Sequence, residues 1–244
     1  MRYAIMADIH ANLNALEVVL DDVERTGGAE EIWCLGDIVG YGANPGECIL
    51  LLRQYKMVCV AGNHDLAAIG KIDTTDFNPM ASRAARWTTE HLSGEEAEYL
   101  KNLPLIETKG DFTLLHGSPN DPIWEYITTL EDAKKNFTHF NTRYCLVGHT
   151  HVPAAFGLGK YGAGYGCGFL SGREFKLVDN RLIINPGGVG QPRDGDPRAS
   201  YAIYDSQTNT IQLRRVDYDI AEAQKRIKQA NLPLSLATRL SEGW

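Results

Sequence analysis

The chain has no long apolar run, no cluster of basic residues and no paired cysteine motif, and each absence narrows its chemistry. No stretch approaches the ~18 apolar residues that read as a membrane span. The opening MRYAIMADIH meets an acid after a few apolar residues, so a secretory leader is not expected. The formal net charge is −7 and no basic run is present. Proteins that hold nucleic acid through its backbone carry a basic face, so specific nucleic-acid binding is not expected. The five cysteines, at 34, 48, 59, 145 and 167, are odd in number and form no Cys-x-x-Cys pair. Cys34, Cys59 and Cys145 sit in apolar runs, which reads as buried thiols in a reducing cytoplasm.

What is present is ordinary for a globular protein: 43% apolar and 23% charged residues over 244 positions, enough to bury a substantial core. The start alternates strand and helix. Tyr3–Ala7 reads as a buried strand; Leu13, Leu16, Val19, Leu20 and Val23 recur at helical spacing, and Gly27-Gly28 ends that helix. Ile32–Leu35 and Met57–Ala61 read as strands on either side of a helix opened by Asn44-Pro45. This βαβαβ order implies parallel strands covered by helices. From about 66 to 104 the strands pause in a helical excursion, with Ser93-Gly-Glu-Glu96 as a capping box. Phe112–Leu115 and Cys145–Val147 resume the strands, with a helix near 130–138 between them.

Residues 157–168, GLGKYGAGYGCG, are half glycine, which reads as a flexible loop or a hairpin tip, or else as a loop that closes over substrate. The end is β-rich. Phe175–Val178, the turn Asp179-Asn180 and Leu182–Ile184 read as a hairpin, Tyr201–Tyr204 and Ile211–Val216 as strands, and 219–230 as a last helix. Neither a repeat nor a linker interrupts the chain, so one domain over residues 1–244 is expected.

The polar residues of interest share a position. Asp8 and His10 follow the first strand, Asp37 the second, and Asn63, His64 and Asp65 the third. His116 ends a fourth, and His149 and His151 follow a fifth. In open α/β sheets, ligands bind at the carboxyl ends of strands. Each piece alone is weak, since Asp-x-His and His-x-His are common. Together they bring five of the seven histidines to one edge. A strand's alternation returns residues i and i+2 to one side, so His149 and His151 are expected to face the site together, with Gly148 allowing a tight turn.

MADIH, LGDIVGYG, AGNHD, LLHGS and VGHTH resemble, in order, the five motifs of the calcineurin-like metallophosphoesterases. The VGYG after Asp37 and the later NPGGVGQPRDGDPRASY resemble the bacterial YfcE-like and diadenosine-tetraphosphatase-like branch. Where that branch usually has Asn-Pro-Gly-Ser, this chain has Gly188, so the serine hydroxyl is missing. The resemblance implies an α/β fold, a four-layer α-β-β-α sandwich of two mixed sheets with the metal site at the C-terminal ends of the strands. It also implies two divalent transition-metal ions. Asp8, His10 and His151 would hold one, Asn63, His116 and His149 the other, with Asp37 bridging. Imidazole and carboxylate donors suit Mn, Fe, Ni, Co or Zn. With only Asp8 and Asp37 as anionic ligands, about two positive charges would remain for an anionic substrate.

The implied activity is hydrolysis of a phosphoester by a metal-bridging hydroxide. A phosphodiester or small nucleotide is the preferred substrate. A Ser/Thr-type protein phosphatase and a non-catalytic protein-binding scaffold are the alternatives on the same fold. His64 would stand beside the substrate and stabilise charge or protonate the leaving oxygen. Asp65 would orient His64 by a hydrogen bond. Asn12 is either a phosphate contact or a helix N-cap. Arg193 and Arg198 either meet phosphate or pair with Asp194 and Asp196. Tyr41 either lines the cleft or packs, and His91 and His139 match no motif.

Overall fold

The computed structural model describes residues 1–159, 161–167, 169–177 and 180–244. Its first strand, β1 (Arg2–Met6), lies parallel to β2 (Glu31–Cys34), which lies parallel to β3 (Met57–Cys59). α1 (Leu13–Arg25) and α2 (Pro45–Leu52) connect them. α1 turns its apolar stripe, Leu16, Val19, Leu20 and Val23, onto the sheet, and the Asn12 side chain caps its first turn through Ala15 N. Pro45 opens α2 at a position where its missing N–H costs nothing.

The expected helical excursion is α3 (Asn63–Ala68), α4 (Pro79–His91) and α5 (Gly94–Lys101), the last started by the Ser93/Glu96 capping box. β4 (Ile106–Lys109), β5 (Phe112–Leu115), α6 (Leu130–Asn136) and β6 (Tyr144–Leu146) follow. β7 (Ala154–Leu158) pairs antiparallel with β8 (Gly164–Cys167), so the glycine-rich stretch is a hairpin. Lys160 and Gly168 lie outside the described residues.

The second expected hairpin is corrected. β9 (Glu174–Lys176) pairs with β12 (Thr210–Val216), whereas β10 (Arg181–Asn185) pairs with β6 and β7. The two strands enter different sheets. Val178 and Asp179, the expected strand end and turn, lie outside the described residues. β11 (Ala199–Asp205) and β12 are followed by α7 (Ile220–Gln229) and by α8 (Leu234–Glu242), which had not been expected.

Among the described residues the strands form two mixed six-stranded sheets, ordered β3-β2-β1-β11-β12-β9 and β4-β5-β6-β10-β7-β8. Strand alternation assigns the layers. Ile5, Ala7, Trp33 and Leu35 of the first sheet meet Leu114, Tyr144, Leu146 and Ile184 of the second. Ala4, Met6, Ile32 and Cys34 face α1, α2, α7 and α8 on the outside. Leu115, Cys145, Val147 and Ile183 face α6. The result is the four-layer α-β-β-α sandwich expected from the motifs. The C-terminal ends of β1, β2, β3, β5 and β6 meet at one edge of the inter-sheet layer. No helix among the described residues is long and apolar enough to cross a membrane.

Candidate active site

All seven expected ligands and His64 converge at that edge, and all are buried: Asp8 and His116 at 0% exposure, none above 4%. Their side chains reach the pocket through unusual backbone. Asp8, His10, Asp37, His149 and His151 all have left-handed φ, between 49° and 67°. Such a conformation costs a non-glycine residue about 1–2 kcal/mol and persists only where the surroundings hold it. Here the loops hold one another. Asp8 N donates to Gly36 O (3.1 Å), His10 N to Asp37 O (2.9 Å), Gly190 N to Asp8 O (2.9 Å) and Gly148 N to His116 O (2.8 Å).

This corrects the expected geometry of the His-Thr-His stretch. β6 ends at Leu146, and the two histidines are brought round by their own left-handed backbone, not by strand alternation. Gly148 has no positive φ. Its bare Cα is needed for packing, because a Cβ there would lie 3.0 Å from Ala7 Cβ. Gly62 serves a closer approach still: a Cβ would lie 2.1 Å from Asp37 Oδ1.

The donor atoms are aimed inward by hydrogen bonds at their far ends. His10 Nδ1 meets Val39 O (3.1 Å), His116 Nδ1 meets Leu35 O (2.8 Å) and His151 Nδ1 meets Gln191 O (2.5 Å). A carbonyl only accepts, so each Nδ1 carries a proton, and the neutral His10 and His151 present Nε2 lone pairs to the pocket. His10 Nε2 faces His151 Nε2 at 3.1 Å. His116 Nε2 faces Asn63 Oδ1 and His149 Nδ1, both at 3.1 Å. The carboxylates follow the same rule. Asp8 Oδ1 accepts from His149 N (3.1 Å) and Asp37 Oδ1 from His64 N (2.8 Å), and both Oδ2 atoms are buried without a hydrogen-bond partner. Asp37 Oδ2 stands 3.5 Å from His10 Nε2 and 3.3 Å from His116 Nε2.

Facing lone pairs and orphaned carboxylate oxygens are unfavourable in a dry interior unless a cation lies among them. Among the described residues three groups of side chains can hold a metal: Asp8, His10 and His151; His10, Asp37 and His64; and Asp37, His116 and His149. Asp37 belongs to two of them, and the residues fit divalent cations. Three of the histidines are held neutral, as ligation of a metal requires. Burial holds His10 and His151 well below the usual histidine range, and His149 down to about 3. Burial also pushes Asp8 up to about 7. Burial would raise Asp37, but His116 and His64 outweigh it and hold that carboxyl low. Burial would lower His116, but the charge of Asp37, 3.3 Å away, pushes it up to about 9. His116 thus carries the positive charge these carboxylates require. A metal taking over that charge would release its proton.

The remaining expectations divide. His64 opens α3 and packs against His10, Tyr41 and Phe77, with ring centroids 4.3–4.8 Å away, and its Nδ1 has no partner. Burial lowers it to about 4, so it is neutral at pH 7. Asp65 does not orient it. Its carboxylate accepts from Asp37 N (2.8 Å), Gly62 N (3.0 Å) and Val39 N (3.1 Å), which ties the second motif to the third. Asn12 is the α1 cap, and its amide donates to Gly190 O (2.8 Å), so both ends of its side chain serve the backbone. Arg198 pairs with Asp196, and Asp194 pairs with Arg215. Arg193 has no carboxylate partner among the described residues. Its Nη2 contacts Gln191 Oε1 (3.0 Å), its guanidinium lies 5.8 Å from the Tyr41 ring, and it lines the cleft. Tyr41 lines the cleft as well. A Cβ at Gly188 would come 3.2 Å from His151 Cβ, a tight fit for the missing serine. His91 stacks on Trp87 at 3.8 Å, away from the cleft.

The cleft over these groups has a volume of about 160 Å³. Its outer walls were not foreseen from the motifs: Phe77, Trp124 and Tyr126, the last stacked on His149 with ring centroids 3.9 Å apart. The only sequence signal for them was an aromatic pair, Trp124 and Tyr126, shortly after the LLHGS motif.

The profile of the calcineurin-like phosphoesterase superfamily domain matches residues 1–209. This chain belongs to that superfamily. Members are metal-dependent phosphoesterases, which gives the buried donor cluster its chemistry and makes the chain a phosphoester hydrolase. The crystal structure of a metallophosphoesterase from Sphaerobacter thermophilus superposes with a TM-score of 0.89 at 46% identity, covering 100% of this chain and 99% of that one. An uncharacterized protein of Methanocaldococcus jannaschii is 39% identical over 98% of this chain and 97% of its own. A symmetrical bis(5'-nucleosyl)-tetraphosphatase of Haemophilus ducreyi is 28% identical over 142 residues, 54% of this chain and 50% of that protein. The match to this phosphoesterase therefore spans about half of the tetraphosphatase.

Proposed function

We propose that this phosphoesterase is a two-metal enzyme acting on a small phosphodiester or a nucleotide-type substrate. Asp8, His10 and His151 would hold one ion, Asn63, His116 and His149 the other, and Asp37 both. The observation that carries this reading is the Asp37 carboxylate, whose unpartnered Oδ2 lies between the Nε2 atoms of His10 and His116. Imidazole, carboxylate and amide donors without a thiolate suit Mn, Fe, Ni, Co or Zn. Bound ions would lower the pKa of a shared water and draw charge from the phosphoryl oxygens.

The chain's own residues supply the rest. The Arg193 guanidinium, which meets no carboxylate among the described residues, binds a non-bridging phosphate oxygen. His64 is neutral at pH 7, so it contributes a hydrogen bond to charge developing on the phosphoryl or leaving oxygen. Asp65 acts at a distance, by holding the backbone that presents Asp37. The small cleft favours a compact substrate, and the tetraphosphatase relative supports a nucleotide. Residues 1–244 working as one unit in a reducing cytoplasm is consistent with the buried cysteines 34, 48, 59 and 145.

The test is a panel of Mn²⁺, Ni²⁺, Co²⁺, Fe²⁺ and Zn²⁺ against bis-p-nitrophenyl phosphate, p-nitrophenyl phosphate, 2′,3′-cyclic nucleotides and diadenosine tetraphosphate. Diester or dinucleotide hydrolysis is expected to lead. Strong preference for the monoester over all diesters would overturn the diesterase reading.

A further inference from the structure

We infer that Phe77 and Trp124 select phosphoesters carrying a planar aromatic group, a nucleobase or an aryl ring, on one side of the scissile phosphate. This rests on the phosphoesterase reading of the same cleft. Aromatic rings run outward from the metal-ligand cluster along one wall. His64 contacts Phe77 (4.7 Å between centroids), and Phe77 meets Trp124 edge-on (5.6 Å, 81°). Neither Phe77 nor Trp124 is fully buried, and Tyr126, also lining the cleft, is 48% exposed. Phe77 and Trp124 pack one side against the core while lining the cleft with the other, which leaves a face for a ligand.

These rings are also held in place before any ligand arrives. Phe77 N donates to Thr74 O (3.1 Å), and the next residue, Asn78, caps α4 by accepting from Met80 N and Ala81 N. Trp124 N donates to Asp121 Oδ1 (3.1 Å). The adjacent Glu125 carboxylate accepts from Ser118 Oγ and from Asn136 Nδ2 (3.0 Å). A preset wall loses less entropy when it binds.

Size limits what the wall can read. Pockets that enclose a whole drug-sized ligand run from about 300 to 1,000 Å³. At about 160 Å³ the cleft takes the phosphoryl group and one attached group. The second arm of a diester therefore stays outside, and recognition is one-sided. Every base has a π-face, so stacking of this kind accepts all bases.

Two methyl diesters, only one of which carries an aromatic group, test this: the methyl ester of thymidine 5′-monophosphate and the methyl ester of ribose 5-phosphate, with wild-type protein, Phe77→Leu and Trp124→Leu. The wild type should prefer the nucleotide ester, and each variant should cut the ratio of the two kcat/KM values about tenfold, equivalent to ~1.4 kcal/mol, mainly through KM of the nucleotide ester. General loosening of the site would lower both substrates together and leave the ratio unchanged, which would overturn the inference. Binding to metal-loaded protein by calorimetry gives a readout without turnover. Adenosine 5′-monophosphate should bind about tenfold more tightly than ribose 5-phosphate, and the Phe77→Leu/Trp124→Leu double variant should lose that gap. Equal binding by the wild type, or a gap that survives in the double variant, would contradict it, whether or not the protein proves to be a diesterase.

Discussion

The Nε2 atoms of His10 and His151 face each other at 3.1 Å in a buried pocket, while each Nδ1 is held by a backbone carbonyl. Two lone pairs so placed repel until a cation sits among them, so metal should stabilise the fold. A ligand at 100 times its Kd contributes about 2.7 kcal/mol, which for a chain of this length is a Tm shift of roughly 5–10 °C. Calorimetry after chelation, and again after adding Mn²⁺ or Zn²⁺, should show a loss of that size and its recovery. An unchanged Tm would mean that the pocket holds no metal.

His64 is the residue on which ligand and non-ligand readings part, because it also lies in a group able to hold a metal with His10 and Asp37. His64→Ala should keep its full metal content and lose roughly 10²–10³-fold in kcat, as expected for removing a hydrogen bond to developing charge. Elemental analysis showing one ion lost would make His64 a ligand.

Asp65 supports three backbone N–H groups that sit beside Asp37 and Asn63. In Asp65→Asn the amide cannot accept from all three. Each orphaned donor costs about 1–3 kcal/mol, and disturbed support of this kind lowers metal affinity about 10–100-fold. Urea unfolding and a metal titration would read the two effects. Wild-type values in both would remove Asp65 from the account.

Asp22 carries a pH dependence remote from the site. Its carboxylate accepts from Arg214 Nε (2.7 Å), Arg214 Nη2 (3.2 Å) and Tyr201 Oη (2.7 Å). Burial would raise its pKa, but the Arg214 and Tyr201 bonds outweigh burial and hold it below the usual 3.8. A depressed folded pKa means that stability is present above the unfolded value and lost as pH falls through the folded one. Asp22→Asn should cost about 1–3 kcal/mol at pH 7, and the gap should narrow below about pH 4. A gap that stays constant to pH 3 would show that charge is not its source.

The candidate donor cluster was legible because each residue follows an apolar strand in a recurring motif, and strand ends are where α/β sheets place their chemistry. The path by which His149 and His151 reach the pocket was not, since left-handed backbone at a histidine leaves no mark in residue type. The role of Asp65 was misread for a related reason: its partners are backbone N–H groups, which every residue offers. The split of β9 and β10 between two sheets also escaped, because alternation shows that a segment is a strand and not which neighbour it joins. Phe77 and Trp124 stood in no motif, and only the folded cleft gives them a common wall.

The central claim, that Asp37 joins two metal sites used together in phosphoester hydrolysis, is tested most directly by titration. Metal is added to chelated protein, and bound ions by elemental analysis and hydrolysis of bis-p-nitrophenyl phosphate are measured in the same samples. Two equivalents per chain are predicted, with hydrolysis rising as the second fills and Asp37→Ala failing to hold both. Full activity at one equivalent, or two filled sites with no turnover of any phosphoester, would contradict it.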